Sequence, residues 1–470
     1  MTRYESGGNG IRQIRLVVIV LVGRLIGWIS RLRGHGGSSL PGLLAVRWHP
    51  SVLRDLRQRL KHGSVLITGT NGKTTTATIA RQILKHEGWN VVSNHNGANL
   101  IAGLTTAFMQ GSRQIVPRAD LALLEVDEAT MPRAGEELAP SFIVVTNVFR
   151  DQLDRYGELS TTLRYIQRGI DSLHAQGKIL LNADDPQVAY LGRGRADAVY
   201  FGLQADSSAD APTSDPYYEA EDSNRCPRCG TPLAYGQRFY AHLGHYHCPR
   251  CAYERPTPSV TVIPGSADRT RLVGEFGELT VTMPIPGLYN LYNLAAAAAL
   301  VWLLGLSTDR IPAAVKTMPP AFGRMEPVSL GEDTQCWIAL VKNPVGFNQV
   351  LDTLTRSGSA NVLVVINDRY ADGRDVSWLW DVDFERGTLN DVINHWWVTG
   401  LRAWDMAIRL KYAGISETRI SVMPSLSEAL DASIHASRQG TLYILPTYTA
   451  LLEVRELLTR RGLVKHFREG

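Results

Sequence analysis

Short apolar runs alternate with helical patterns along most of the chain, as they do in proteins built on a parallel α/β sheet. Residues 65–68 are apolar and mostly β-branched, and they predict a buried strand. Residues 74–86 place apolar side chains on one helical face, and Gly88 predicts the end of that helix. The same reasoning predicts strands at 121–125, 141–146, 178–181, 337–341, 362–366, 396–399 and 442–445. We therefore expect two α/β units with mostly parallel sheets.

The pattern also divides the chain into segments. Residues 1–45 form a basic N-terminal segment and a Gly/Ser/Pro linker, 46–325 a first α/β unit, and 326–470 a second one. An insertion at about 205–265 interrupts the first unit. We find no internal repeat.

The N-terminal segment holds a short apolar run, residues 16–23, flanked by arginines. A spanning helix needs roughly twenty apolar residues, so we expect this run to be too short to cross a membrane. No small-residue cleavage site follows it, which argues against a signal peptide. We predict a basic amphipathic helix packed on the surface of the first unit, and a membrane-surface anchor is the alternative.

Composition narrows the class of protein. The 470 residues are 44% hydrophobic and 20% charged, as in soluble proteins with two or three domains. The net charge of +4 is mild and does not by itself indicate nucleic-acid binding. Four of the five cysteines form one cluster, which fits a metal site in a reducing cytoplasm rather than a disulfide scaffold. We expect a cytoplasmic protein, with a peripheral position at the inner face of the plasma membrane as an open alternative.

A glycine-rich turn joins the first predicted strand to its helix. It carries Gly69, Thr70, Asn71, Gly72, Lys73, Thr74 and Thr75. Backbone N–H groups and the positive end of the helix bind phosphate in such turns, a lysine offsets phosphate charge, and a threonine hydroxyl binds magnesium. The turn is shorter than the eight-residue P-loop, which has glycine where Ile67 stands. We predict ATP binding, with a tight turn that carries an incidental lysine as the alternative.

Two Cys-x-x-Cys pairs lie in the insertion, eighteen residues apart. They are Cys226 and Cys229, then Cys248 and Cys251. This spacing predicts a four-thiolate zinc ribbon, whose closed coordination makes it structural rather than catalytic. A redox pair or unliganded thiols are the alternative. Because zinc ribbons often bind nucleic acid, that function is kept as a hypothesis, although the insertion has no long basic run.

Residues 366–385 are rich in aspartate and tryptophan and follow a predicted buried strand. Ligands of α/β sheets bind at the carboxyl ends of strands, so this acidic loop is a second candidate site. A solvated acidic loop without function is the alternative.

The shortened phosphate loop resembles the ATP site of the Mur ligase superfamily, which includes the folylpolyglutamate synthases. Five further segments resemble motifs of that superfamily, in its order, over roughly 260 residues. They are 124–128, 146–157, 181–186, 287–296 and 323–326. Two positions depart from it, because Gln152 replaces a histidine and Ile166 stands near the place of a lysine that many members carbamylate. The resemblance implies a P-loop ATPase domain with a Rossmann-like C-terminal domain.

The same resemblance implies roles for single residues. Lys73 is the phosphate lysine, and Thr74 binds magnesium together with Glu125 or Glu128. Asn290 is implied near the adenine and Arg324 at the nucleotide. ATP, Mg²⁺ and a structural Zn²⁺ are therefore the expected cofactors.

The ribbon, residues 342–348 and the acidic loop together resemble one branch, the Mur-ligase-like synthetase subunits of lipid II isoglutaminyl synthase. That branch implies a role in peptidoglycan synthesis. It also implies that ATP activates the D-glutamate α-carboxylate of the lipid II stem peptide to an acyl phosphate, which ammonia converts to D-isoglutamine. Ammonia at neutral pH is mostly ammonium, which is a poor nucleophile, so such enzymes usually take ammonia from glutamine through a glutaminase. Cys336, the only unclustered cysteine, opens a predicted strand and is expected in the core, so the sequence shows no glutaminase nucleophile. We therefore expect a separate class I glutaminase as partner.

In this branch the synthetase contributes an aspartate to the partner's catalytic triad, and the resemblance places it at Asp375. Asp368 and Asp372 are physical alternatives. Two other functions compete with amidation. One is a ligase that adds an amino acid to a carboxylate, as in folylpolyglutamate synthesis, and the other is a zinc-ribbon nucleic-acid-binding ATPase, which the modest charge disfavours.

Overall fold

The computed structural model describes residues 5–32, 39–94, 98–111, 118–150, 159–205, 224–265, 269–318, 323–330 and 334–464. Residues 151–157 of the predicted superfamily motifs, with Gln152, lie outside this part of the chain, as do residues 206–223 of the insertion.

Nine strands form the first sheet, which is parallel except at one edge. The first six in chain order are β1 (Ser64–Thr68), β2 (Val91–Val92), β3 (Leu121–Glu125), β4 (Phe142–Val145), β5 (Lys178–Asn182) and β6 (Ala198–Leu203). A separate hairpin follows, formed by β7 (Ala234–Tyr240) and β8 (Leu243–His247). The last three strands of the sheet are β9 (Val260–Pro264), β10 (Arg269–Gly274) and β11 (Gly277–Thr282). Their spatial order is β11-β10-β9-β6-β5-β4-β1-β3-β2, and β9, β10 and β11 pair antiparallel. The predicted α/β class is confirmed.

Helices cover both faces of this sheet. They are α1 (Glu5–Leu32), α2 (Leu40–Trp48), α3 (Val52–Arg57), α4 (Lys73–His86), α5 (Ile101–Gln110), α6 (Met131–Leu138), α7 (Leu159–Ile170), α8 (Pro186–Tyr190), α9 (Leu288–Leu303) and α10 (Ile311–Lys316). Alternation along β1 sends Val65 and Ile67 into the core under α4 and α9, and Leu66 into the opposite core under α1, α3 and α5. Both faces are buried, which explains why the strand is apolar at every position.

Helix α1 is longer than the apolar run of the sequence indicates. It has 28 residues, and its window Gln13–Ser30 reaches a mean hydropathy of 1.7 with 28% of the window buried. Length and composition would therefore allow a membrane span, so the expectation that this segment is too short was wrong on those two criteria. One face nevertheless packs on the domain, as predicted, because Leu16, Ile19 and Val20 are buried.

Six strands form the second sheet, in the order β12-β13-β17-β14-β15-β16. They are β12 (Glu326–Ser329), β13 (Gln335–Ile338), β14 (Ala360–Val365), β15 (Ile393–Thr399), β16 (Ile420–Val422) and β17 (Thr441–Pro446), with helices α11 (Pro344–Ser357), α12 (Gly387–Val392), α13 (Ala403–Tyr412), α14 (Leu426–Ala436) and α15 (Tyr448–Arg460). Only β12 pairs antiparallel. The sheet is thus the predicted Rossmann-like α/β arrangement.

The segment after β13 lies against the phosphate loop of the first sheet. Lys342 Nζ donates to Thr70 O at 2.9 Å, and Asn343 Nδ2 donates to Asn71 Oδ1 at 3.1 Å. The two sheets therefore meet where β1 ends, and this junction positions the site.

Candidate active site and metal centre

The phosphate loop depends on glycine at two positions. Gly69 has φ +124° and Gly72 has φ +88°, a region that residues with a Cβ rarely adopt. A Cβ at Gly69 would lie 2.3 Å from Thr146 Oγ1, and one at Gly72 would lie 2.2 Å from Asn293 Oδ1. Both glycines are therefore required for conformation and for space.

The end of β4 holds the loop in shape. Thr70 N donates to Asn147 O and Asn71 N donates to Asn147 Oδ1, both at 2.9 Å, while Thr146 Oγ1 donates to Asn71 O at 2.7 Å. The Thr-Asn pair of the predicted superfamily segment thus supports the loop.

Two carboxylates contact the start of α4. Lys73 Nζ donates to Gly69 O and, at 2.8 Å, to Glu128 Oε1. Thr74 Oγ1 donates to Glu125 Oε2 at 2.8 Å. Burial raises the pKa of Glu125, and Thr74 and Lys73 oppose that rise. The site therefore combines a cation, a hydroxyl and two carboxylates, the groups needed to bind a nucleoside triphosphate together with a metal ion.

These residues fit a magnesium ion. Mg²⁺ prefers oxygen ligands, and the Thr74 hydroxyl and the Glu125 carboxylate already meet. A buried carboxylate is costly unless a cation compensates its charge. Asn94 fixes the backbone of Glu125 through hydrogen bonds of 2.8 and 2.9 Å, whereas Glu128 faces Lys73. The contacts favour Glu125 over Glu128 as the ligand.

A pocket opens beside the loop, between the two sheets. Its lining includes Asn71, Gly72, Thr75, Asn293 and Arg324 on one side and Val345, Gly346 and Gln349 on the other. Asn290, predicted near the adenine, is fully buried behind Asn293, whose Nδ2 donates to Asn290 Oδ1 at 3.2 Å. Asn293 lines the pocket in its place. We refer to this cleft as the nucleotide pocket.

Arg324 reaches the pocket through a strained turn. Gly323 has φ +61° and Met325 has φ +50°, and Gly323 N donates to Glu326 Oε2 at 3.0 Å. Glu326 in turn pairs with Arg455 of α15. The Gly-Arg-x-Glu segment thus directs its arginine toward the pocket and its glutamate into the second sheet's packing.

The four insertion cysteines converge as their spacing predicts. Their Sγ atoms all lie within 4.8 Å of one another, with 3.5 Å between Cys226 and Cys251 and 3.6 Å between Cys229 and Cys248. A tetrahedral zinc with Zn–S bonds of about 2.3 Å needs sulfurs about 3.8 Å apart, so the cluster fits zinc. Gly230, at φ +71°, makes the turn after the first pair.

Two histidines of the insertion and the fifth cysteine lie outside the four-cysteine cluster. His242 is buried at the far tip of the hairpin, and His245 Nε2 lies 3.0 Å from Leu203 O. Cys336 is buried in β13, where burial raises the pKa of its thiol. Neither the histidines nor Cys336 is needed as a ligand.

The three aspartates of the acidic loop differ in environment. Asp372 is buried and accepts a hydrogen bond of 2.7 Å from Thr449 N. Asp368 pairs with Arg402 at 2.8 Å. Asp375 is exposed, and a hydrogen bond from Ser377 N at 2.8 Å lowers its pKa. Asp375 is thus the one of the three whose carboxylate is both exposed and outside an ion pair described in the structure.

Several contacts of the site were not predicted. Tyr240, from the insertion, lines the nucleotide pocket, and no sequence signal indicated this. Asn343, which bonds Asn71, lies in the 342–348 segment that carried the branch resemblance.

Comparison with known proteins decides the family. The Mur ligase middle domain matches residues 67–226, and the MurT ligase C-terminal domain matches 340–451. The MurT subunit of lipid II isoglutaminyl synthase (glutamine-hydrolysing) from Streptococcus pneumoniae is 35% identical over 452 residues, covering 95% of this chain and 97% of its own. The chain belongs to the MurT family. A MurT subunit from Staphylococcus aureus is also 35% identical, covering 92% and 95% of the two chains.

The predicted superfamily and branch are therefore confirmed. Among solved structures, a pseudomurein peptide ligase type C from Methanothermus fervidus superimposes with a TM-score of 0.66 at 23% identity, covering 87% of this chain and 80% of its own. This likeness confirms the Mur ligase fold for a MurT-family chain. The family is one of ligases, which leaves the nucleic-acid-binding ATPase without support.

Proposed function

We propose that this chain is the ATP-dependent carbon–nitrogen ligase subunit of a lipid II isoglutaminyl synthase. It amidates the α-carboxylate of D-glutamate in the lipid II stem peptide, giving D-isoglutamine during peptidoglycan synthesis. The observation that carries the proposal is the phosphate loop of a MurT-family chain, at which Lys73 pairs with Glu128 and Thr74 with Glu125.

The proposed reaction has two steps, and positive charge in the site assists them. A carboxylate oxygen of the substrate attacks the γ-phosphorus of ATP, and ADP leaves. Ammonia then attacks the acyl carbon, phosphate leaves with the bonding electrons, and the nitrogen loses a proton. Lys73 and Arg324 offset negative charge on the nucleotide. Magnesium at Thr74 and Glu125 would supply further charge compensation, and the cleft between the sheets keeps water from the acyl phosphate.

The direct test is amidation of purified lipid II with ATP, Mg²⁺ and ammonium, followed by mass spectrometry of the stem peptide. Ammonium replaces the partner that supplies ammonia. We expect the D-glutamate acid to become an amide, with one ADP formed per amide. Consumption of ATP for a different acceptor, without amide, would overturn the proposal.

The ammonia source is proposed to be a partner glutaminase. A bound zinc would engage the four cluster cysteines, and Cys336 is buried, so no cysteine would then be left as an accessible nucleophile. An exposed apolar surface at α13 is joined by Trp380, from the acidic loop that also carries Asp375. Its side chains are 46–73% exposed and are those of Leu401, Trp404, Ile408 and Tyr412. The Trp380 ring lies tilted against that of Tyr412, with 5.8 Å between the ring centroids. Exposed aromatic clusters are typical of protein interfaces, so we assign this surface to the glutaminase.

The outer face of α1 supports a position at the membrane surface. Ile14, Val18, Leu21, Leu25 and Trp28 are 46–67% exposed, at spacings of four and three residues that place them on one face. The opposite face is buried against the domain. A helix with one apolar face exposed and the other anchored lies in the bilayer interface, where lipid II resides.

Vesicle flotation tests the membrane position. We expect the full chain to float with phosphatidylglycerol vesicles, and the double variant Leu21→Glu/Leu25→Glu to stay in the dense fraction, because two charges on the exposed face oppose insertion. The matched control carries the same charges at Leu401 and Ile408. Equal flotation of the two double variants would contradict the membrane position.

A further inference from the structure

The zinc ribbon extends from its cysteines into the nucleotide-binding core. Strand β7 leaves the first cysteine pair and β8 returns to the second, so the cysteines lie at one end of the hairpin and the turn at residues 241–242 lies at the other. A seven-residue strand spans about 23 Å, which separates the turn from the metal site. The tip is buried, since Tyr240 is 5% and His242 is 3% exposed.

Tyr240, at the end of β7, lines the nucleotide pocket together with Gly72 and Arg324. Its ring lies 5.8 Å from that of Tyr292 on α9, edge to face, and 6.1 Å from that of Phe149. These two rings hold the tyrosine against the pocket. A residue of the insertion is therefore part of the pocket wall.

The tip is also joined to the phosphate loop. Thr70 Oγ1 accepts a hydrogen bond from Phe149 N at 2.9 Å, and the Phe149 ring packs 4.9 Å from His242. His242 Nε2 lies 3.2 Å from Asp185 Oδ2, which accepts a hydrogen bond from Val148 N at 2.9 Å. A displacement of the tip would thus disturb the residues that support the loop.

The segment that follows the second cysteine pair is tied to the same sheet. Arg255, four residues after Cys251, pairs with Asp184 and donates to Leu203 O at 2.9 Å. Asp184 Oδ2 also accepts a hydrogen bond of 2.8 Å from Tyr292, the residue that packs on Tyr240. The hairpin and the segment that follows its second cysteine pair therefore contact one cluster, Asp184 and Tyr292, and Tyr292 packs on Tyr240.

We propose that the zinc ribbon positions Tyr240 as a wall of the nucleotide pocket, so that zinc occupancy sets the affinity for nucleotide. The ribbon then does more than brace its own insertion. This inference rests on the proposed nucleotide and zinc sites, and its measurements are binding measurements that do not depend on which carboxylate is amidated.

Calorimetric titration of the full chain with Mg²⁺ and ADP tests whether Tyr240 forms part of the wall of the nucleotide pocket. Tyr240→Ala is expected to weaken ADP binding about tenfold, because it removes a buried aromatic contact, while zinc content stays unchanged. Tyr240→Phe keeps the ring and should bind ADP like the parent chain. The matched control is Tyr190→Ala, since Tyr190 packs edge-on against Tyr253 of the ribbon at 5.6 Å without lining the pocket.

The role of zinc is tested in the parent chain and in the Tyr240→Ala variant. Chelation of zinc from the folded chain should weaken ADP binding in the parent, and zinc added back should restore it. The same treatment should have little further effect in Tyr240→Ala, because the two changes act on one contact. Parent-like ADP binding by Tyr240→Ala, or an equal loss on chelation in both backgrounds, would overturn the inference. Normal ADP binding without amidation would instead contradict the proposed function alone.

Discussion

Replacing Lys73 with alanine is expected to lower ammonium-driven amidation of lipid II about a thousandfold. Lys73 Nζ lies between Gly69 O and the Glu128 carboxylate, at the first turn of α4. Without its charge, the phosphate groups face two carboxylates, and Glu128 loses its pair in a site that is mostly buried. The reaction therefore loses charge compensation and gains repulsion in the transition state.

Steady-state kinetics with ammonium measures this loss without the partner. Lys61→Ala is the matched control, because Lys61 is 73% exposed and pairs with Asp120 away from the loop. That variant should retain parent activity, since surface ion pairs contribute little. Retention of more than about a tenth of the activity by Lys73→Ala would contradict the assigned role of the lysine.

Replacing Asp375 with asparagine is expected to lower glutamine-driven amidation about a hundredfold and to leave ammonium-driven amidation unchanged. An aspartate in a triad orients the histidine and stabilises its cationic form, which asparagine cannot do. The hydrogen bond from Ser377 N lowers the pKa of Asp375 because it stabilises the charged carboxylate. The carboxylate is therefore charged above the ordinary aspartate pKa and becomes protonated only when the pH falls below that value. The carboxylate is therefore ionised at neutral pH.

Comparing the two nitrogen sources in the assembled complex makes this prediction specific. Asp381→Asn is the matched control, because Asp381 is an exposed aspartate of the same loop. It should leave both reactions unchanged. An equal fall of both reactions in Asp375→Asn would show that the residue serves the synthetase itself rather than its partner.

Local features of the sequence determined the elements and the binding chemistry. The run before Gly69 predicts β1, and helical periodicity predicts α4, because neighbouring residues alone set these patterns. The two Cys-x-x-Cys pairs likewise bend each thiol pair toward one ion. Helix α1 was underestimated because its glycines and flanking polar residues interrupt the apolar run, although the helix continues through them.

Tertiary structure decided which of several similar residues does which task. Parallel pairing places Ile67 opposite Glu125, so that carboxylate meets Thr74 while Glu128 meets Lys73. The helical turn between Asn290 and Asn293 decides which amide faces the pocket. A sequence motif identifies both glutamates and both asparagines, but it does not show in which direction each side chain points.

Contacts between distant segments were likewise decided by the fold. Asn343 meets Asn71 across 272 positions, and Tyr240 reaches the pocket from an insertion whose sequence indicates only a zinc site. The burial of Asp372, in contrast to the exposure of Asp375, depends on its contact with Thr449 of α15. Sequence patterns determine what depends on adjacent residues, whereas a binding site depends on distances between side chains that only the packed chain brings together.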